Sequence, residues 1–203
     1  MCLAILWAGL GGCSFLKPAK STARYFVLSP LTATNSAPRG PAFPAVGLGP
    51  VRLPSYLFDT SLAVRVGTNE IRYLPSTLWA ERLDTGFQRV LAANLAILGP
   101  TDRVLLSSWQ KEVVAAEIQL TIEQFDVDAD GQGQLVARWR ILSPGGERIL
   151  KANRTCLSKQ GPPPGKNPAG AVSTLSDLVA DLSRQLAQAL RDAWPARTDS
   201  GPR

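Results

Sequence analysis

One thiol in this chain is placed for chemistry. Cys13 follows Leu10-Gly11-Gly12, at the end of an apolar, uncharged stretch that begins at Met1. Small residues directly before a cysteine match the pattern of a bacterial lipobox. There the sulfur takes a diacylglyceryl group, a peptidase cuts on its amino side, and the new amine is acylated. That chemistry needs a thiolate nucleophile and neighbours slim enough for the peptidase. On this reading residues 1–12 are a signal segment, and Cys13 opens a mature chain anchored through lipid. One acyl chain holds marginally, at about 0.8 kcal/mol per buried methylene, and two or more hold stably. The apolar run is too short to span a bilayer as a helix, which takes about 20 residues. No Lys or Arg precedes it, so the true start is expected upstream of Met1. Ser14, where an aspartate would signal inner-membrane retention, fits the outer membrane.

Other reactive groups point nowhere so specific. Asp126-Val127-Asp128-Ala129-Asp130-Gly131 carries carboxylates at alternate positions before a glycine, as in the first half of an EF-hand loop. The twelfth position is Ala137, where a bidentate glutamate belongs. A β-hairpin turn built on Asp130-Gly131 accounts for the same residues. Glu112, Glu117 and Glu123 are spaced as exposed groups on strands. The chain has no histidine, which excludes Ser-His-Asp and Cys-His catalysis and His-ligated zinc. Neither a nucleophile elbow nor a phosphate-binding loop is present. No enzyme activity, metal or cofactor is therefore expected. Once Cys2 leaves with the signal and Cys13 takes lipid, Cys156 is alone. It is read as a small buried apolar residue.

The elements that carry these groups alternate in period. Tyr25–Leu28, Leu62–Val66, Ile71–Leu74 and Val104–Leu106 read as strands, the middle two joined as a hairpin through 67–70. Ala45–Pro54 reads as a strand whose prolines and glycines favour an edge or a bulge. Leu83, Phe87, Val90, Leu91, Leu95 and Leu98 form a helical stripe that ends at Gly99-Pro100. Ile118, Leu120 and Ile122 alternate with Gln119, Thr121 and Glu123. Leu135, Ala137, Trp139 and Ile141 alternate with Arg138 and Arg140. With residues 148–159 these runs make an antiparallel meander with one wet face. Leu175 to Leu190 mark a second helix, with capping-box spacing at Thr174 and Asp177, and Trp194 at its end. The order predicts one α+β domain, a mainly antiparallel sheet with two amphipathic helices on one face. It spans 25–194, between a tether at 13–24 and a disordered tail at 195–203.

The 203 residues carry a net charge of +6. A basic domain suits anionic lipid headgroups or an acidic partner. Nucleic acid is not expected, because the basic residues are scattered and no nucleic-acid motif appears. Trp79 and Trp109 sit at element ends, where an indole packs on the core or on a partner.

Several segments together carry a family resemblance. They are Tyr25-Phe26-Val27-Leu28 soon after the lipobox, Val51-Arg52-Leu53-Pro54-Ser55-Tyr56-Leu57, Asn69-Glu70-Ile71, Trp79-Ala80-Glu81-Arg82-Leu83, and 87–95. In this order and spacing the chain resembles the ABC-type transport auxiliary lipoproteins, the PqiC- or YmbA-like family, from about Cys13 to Trp194. Arg82 stands where a proline is usual. The resemblance implies a non-catalytic lipoprotein lipidated at Cys13. Its partners would be a periplasmic MCE-domain protein with an inner-membrane ABC permease and ATPase, and a homo-oligomer is compatible. It would dock the MCE component at the outer membrane while lipids move between membranes. The expected edge at Val46, Leu48, Val51 and Leu53 is then the candidate docking edge, because an edge strand offers unpaired backbone groups. A lipoprotein assisting assembly of an outer-membrane barrel or lipopolysaccharide export would share the anchor and shape. A lipid shuttle would need an apolar cavity, and a hydrolase a carboxylate whose loss stops turnover.

Overall fold

The computed structural model describes residues 22–32, 44–106 and 108–193. Cys13, most of the expected tether, the tail and Trp194 lie outside the described residues. In chain order the elements are β1 (Arg24–Phe26), β2 (Ala45–Leu48), β3 (Ser61–Arg65), β4 (Ile71–Trp79) and α1 (Leu83–Leu98). Then come β5 (Val104–Leu106), β6 (Val114–Asp128), β7 (Gln132–Leu142), β8 (Ile149–Gln160) and α2 (Pro168–Ala193). Among the described residues the eight strands form one open sheet, and the architecture is α+β.

The sheet is mixed. The long pairings β3–β4, β6–β7 and β7–β8 are antiparallel, while β1–β4, β2–β5, β2–β6 and β3–β6 are parallel. β6 organises it. One side of β6 pairs with β7 along nearly its whole length; the other takes β2 at its start and β3 at its end. Between them, residues 49–52 continue alongside β6. Gly49 N donates to Ile118 O at 3.0 Å, and Ile122 N donates to Arg52 O at 2.8 Å.

Alternation decides which face of β6 is dry. Ile118, Leu120 and Ile122 are buried under the helices. The register then slips between Ile122 and Gln124, leaving Glu123 without an opposite residue on β7. This bulge resets the parity, so Phe125 and Val127 are the buried residues beyond it. β7 has no slip there, and Leu135, Ala137, Trp139 and Ile141 stay under the helices throughout.

α1 and α2 pack against each other, and α2 lies over β6, β7 and β8. Phe87 of α1 meets Phe125 edge to face, with ring centroids 5.1 Å apart. Asn94, fully buried, donates to Ser183 Oγ of α2 and accepts from Leu31 N at 2.7 Å. Trp139 Nε1 donates to Thr155, whose hydroxyl donates to Gln185 of α2.

Several expectations change here. α2 begins about two turns earlier than the Thr174/Asp177 spacing implied. Asn167 Oδ1 accepts from Gly170 N at 3.0 Å, and Pro168 takes the first helical position, where its missing N–H costs nothing. Thr174 donates instead to Gly170 O, and Asp177 pairs with Lys159. Glu112 lies in a turn rather than a strand. Cys156 is exposed, because it points from the sheet's last strand to the face without helices. The half EF-hand motif is the β6–β7 hairpin: Asp128 Oδ1 accepts from Asp130 N and Gln132 N, and Gly131 has φ of 92°.

Because Phe87 is sealed between α1 and β6, Phe87→Ala should lower the unfolding free energy by about 3–5 kcal/mol. Leu106→Ala, at an exposed position at the end of β5, should change it by less than about 0.5 kcal/mol. Urea unfolding followed by circular dichroism reads both.

Candidate functional site

The face of the sheet away from the helices carries a cleft of about 920 Å³. Its floor is the outer side of β6, β7 and β8. In register, Gln119 stands opposite Arg140, and Thr121 opposite Arg138. Arg138 in turn faces Arg154, and Arg140 faces Ala152. Arg52 joins them because its backbone bridges to Thr121 in parallel, which puts both side chains on one face.

These guanidinium groups are not equivalent. Glu123, turned outward at the bulge, is clamped between two of them. Arg138 Nε donates to its Oε1, while Arg154 Nε and Nη2 each lie 2.8 Å from Oε2. The hydrogen bonds from Arg138 and then Arg154 hold the Glu123 carboxyl below the usual glutamate range. Arg140 reaches only a neutral acceptor, Gln119 Oε1 at 2.8 Å. No carboxylate among the described residues pairs with Arg52 or Arg140. Glu117 accepts from Gly145 N at 2.9 Å at the cleft's end.

Trp109 walls the cleft. β5 and β6 both run parallel to β2, on either side of it, so the chain between them must cross over β2. Trp109 lies on this crossing and packs on Gly47. A Cβ at residue 47 would come within 2.3 Å of the indole, so only glycine leaves room for the ring. Farther along the same face, Asp126 is buried. Tyr56 Oη donates to Asp126 Oδ2 at 2.7 Å, Arg65 Nη2 at 2.8 Å, and Gln124 Nε2 to Oδ1 at 2.9 Å. Burial, then the bond to Asp126, raises the Tyr56 pKa well above the ordinary tyrosine value. This cluster leaves no free group for a ligand and fastens the turn at Ser55–Phe58 to the sheet.

The expected docking edge is not an edge. Val46 and Leu48 lie in β2, which is hydrogen-bonded on both sides, and are 3% and 0% exposed. Val51 is buried, and Leu53 packs partly buried against the core. Of the residues that suggested an edge, Gly49, Pro50 and Pro54 fall after Leu48, where the strand gives way to the irregular 49–54 segment, and Gly47 sits inside β2 to make room for Trp109. Trp79 ends β4 in the core. Trp109 is half-buried and lines the cleft. Sequence reasoning missed the cleft's arginines as a group. The alternation of Arg138 and Arg140 was legible; their meeting with Arg52 and Arg154 depends on pairing between distant segments. Among the described residues no group of His, Cys, Asp and Glu side chains is arranged to hold a metal ion.

The pattern of the family described as "ABC-type transport auxiliary lipoprotein component" matches residues 26–187. The chain belongs to that family. No curated protein matches it. Among solved structures, an uncharacterized protein is similar at 18% identity with a TM-score of 0.66, covering 82% of this chain and 97% of its own. Protein XCC0632 from Xanthomonas campestris is similar at 10% identity with a TM-score of 0.67, covering 84% of this chain and 98% of its own. At these identities the likeness is one of fold.

Two outcomes test the cleft's construction. Gly47→Ala should cost about 1–3 kcal/mol through overpacking against Trp109. In a double-mutant cycle by urea unfolding, Trp109→Ala should remove most of that cost. Glu123 has a folded pKa below its unfolded one, so its clamp contributes above the carboxylate range and is lost as pH falls through the lowered value. In carbon NMR its carboxyl should titrate below the ordinary 4.5. Arg138→Gln with Arg154→Gln should return it toward that value.

Proposed function

We propose that this member of the ABC-type transport auxiliary lipoprotein family is a non-catalytic outer-membrane subunit of an MCE-type transport system. It docks the periplasmic MCE component there while lipids pass between the two membranes. The family match over 26–187 is the observation that carries this reading. Leu10-Gly11-Gly12-Cys13 ahead of the matched region supports attachment through lipid on Cys13. Among the described residues no helix is long and apolar enough to cross a membrane, and the reading places the anchor on that cysteine. Two or more acyl chains there hold a protein stably. The net charge of +6 favours a domain lying near anionic headgroups. Among the described residues no helix covers the sheet's outer face, which leaves surface for a partner, while α1 and α2 close the other.

Affinity capture from crosslinked cell envelopes tests the reading. An MCE-domain protein should be recovered with the outer-membrane fraction, and Cys13→Ala should abolish that co-fractionation. Recovery of an outer-membrane barrel without any MCE protein would replace this reading with an assembly factor.

A further inference from the structure

We infer that the outer-face cleft receives an acidic, extended segment of a protein partner, with Arg52 and Arg140 taking its carboxylates and Trp109 covering one flank. The inference deepens the docking reading and rests on it for the partner being a protein of the transport system.

The cleft already displays the chemistry. Two of its arginines bind a carboxylate, that of Glu123, through both oxygens. Paired, planar guanidinium donors suit carboxylates geometrically as well as electrostatically. Arg52 and Arg140 stand on the same floor, reached by the same register, and meet no carboxylate among the described residues. Position explains the difference: Glu123, outward by the alternation of β6, lies beside Arg138 and Arg154, and the other two meet no carboxylate among the described residues. Apolar and polar surface both line the cleft, with Pro50, Trp109 and Ala152 beside the arginines. Two cations without a carboxylate favour an acidic peptide over a neutral acyl chain, and an extended peptide also finds Gln119 and Thr121 for its backbone and Pro50, Trp109 and Ala152 for apolar side chains.

The test uses the full lipidated chain in detergent and a fluorescein-labelled oligoglutamate, followed by anisotropy at low ionic strength. Arg52→Gln with Arg140→Gln should weaken binding by at least about tenfold, because it removes both unpaired cations. Arg72→Gln, an exposed arginine on β4, should change it less than about twofold. Glu123→Gln should tighten binding severalfold by releasing Arg138 and Arg154, an effect that general loss of folding would not produce. Equal weakening by Arg72→Gln, or no weakening by the double variant, overturns the assignment. So does cleft-dependent binding of phosphatidylglycerol vesicles with none of the peptide, which would make the cleft a headgroup site. If the double variant still captures the MCE protein from envelopes, the cleft assignment fails and docking stands. If oligoglutamate binds as expected but no MCE protein is captured, docking fails and the cleft's preference for acidic peptides stands.

Discussion

Everything else in this fold depends on the backbone hydrogen bonding of β6. A strand has two edges, and here one is given to β7 while the other is divided between β2 and β3. Leaving such backbone groups unpaired under the helices would cost about 1–3 kcal/mol each. The junction between β2 and β3 is therefore filled by the 49–52 segment rather than left open. A slip of one residue in this register would exchange every side chain between the dry and wet faces. The bulge at Glu123 is such a slip, confined to one residue and used. It keeps Phe125 under Phe87, while Glu123, already outward by the alternation before it, sits at that point between two arginines.

Buried polar groups fix how the layers meet. Asn94 joins α1 to Ser183 on α2 and to the backbone at Leu31, so three segments share one side chain. Asp126, 2% exposed, is held by Tyr56, Arg65 and Gln124. A buried carboxylate with one partner removed leaves a desolvated charge, which typically costs 3–5 kcal/mol. Such a site tolerates little movement of the Ser55–Phe58 turn. Among the described residues no buried side-chain nitrogen or oxygen lacks a partner. These contacts specify one arrangement more than they add stability, because apolar packing is indifferent to small shifts and hydrogen bonds are not.

Periodicity made the long elements legible. The stripe from Leu83 to Leu98 marked α1, and the alternations in β6 and β7 marked the meander and its wet face. What escaped was set by pairing across distance. β2 looked like an edge strand because Gly47 lies in it and Gly49, Pro50 and Pro54 follow closely, yet its four residues lie between β5 and β6. Cys156 looked buried because its strand is partly apolar, but burial at that position depends on what covers the outer face. The Thr174/Asp177 spacing mimicked a capping box inside a helix already capped at Asn167. The basic cleft was least legible of all, since Arg52 reaches β6 only through the 49–52 segment.

The sheet's open edges bear on how such a domain would meet a partner. Unpaired strands invite pairing with another chain, and proteins restrain this with short edges and charged side chains. Here β1 and β5 have three residues each. β8 is long, but Lys151, Arg154 and Lys159 punctuate it, and two of these are tied to acidic groups on α2. Strand addition is thus discouraged along each of these edges, while among the described residues no helix covers the outer face and its Arg52 and Arg140 meet no carboxylate. Recognition through the face rather than an edge has a further consequence. Edge pairing uses backbone groups common to all sequences, whereas a row of arginines with one carboxylate already in place discriminates by charge and spacing. Glu123 then acts in two ways: it repels an incoming carboxylate from Arg138 and Arg154, and so directs it toward Arg52 and Arg140.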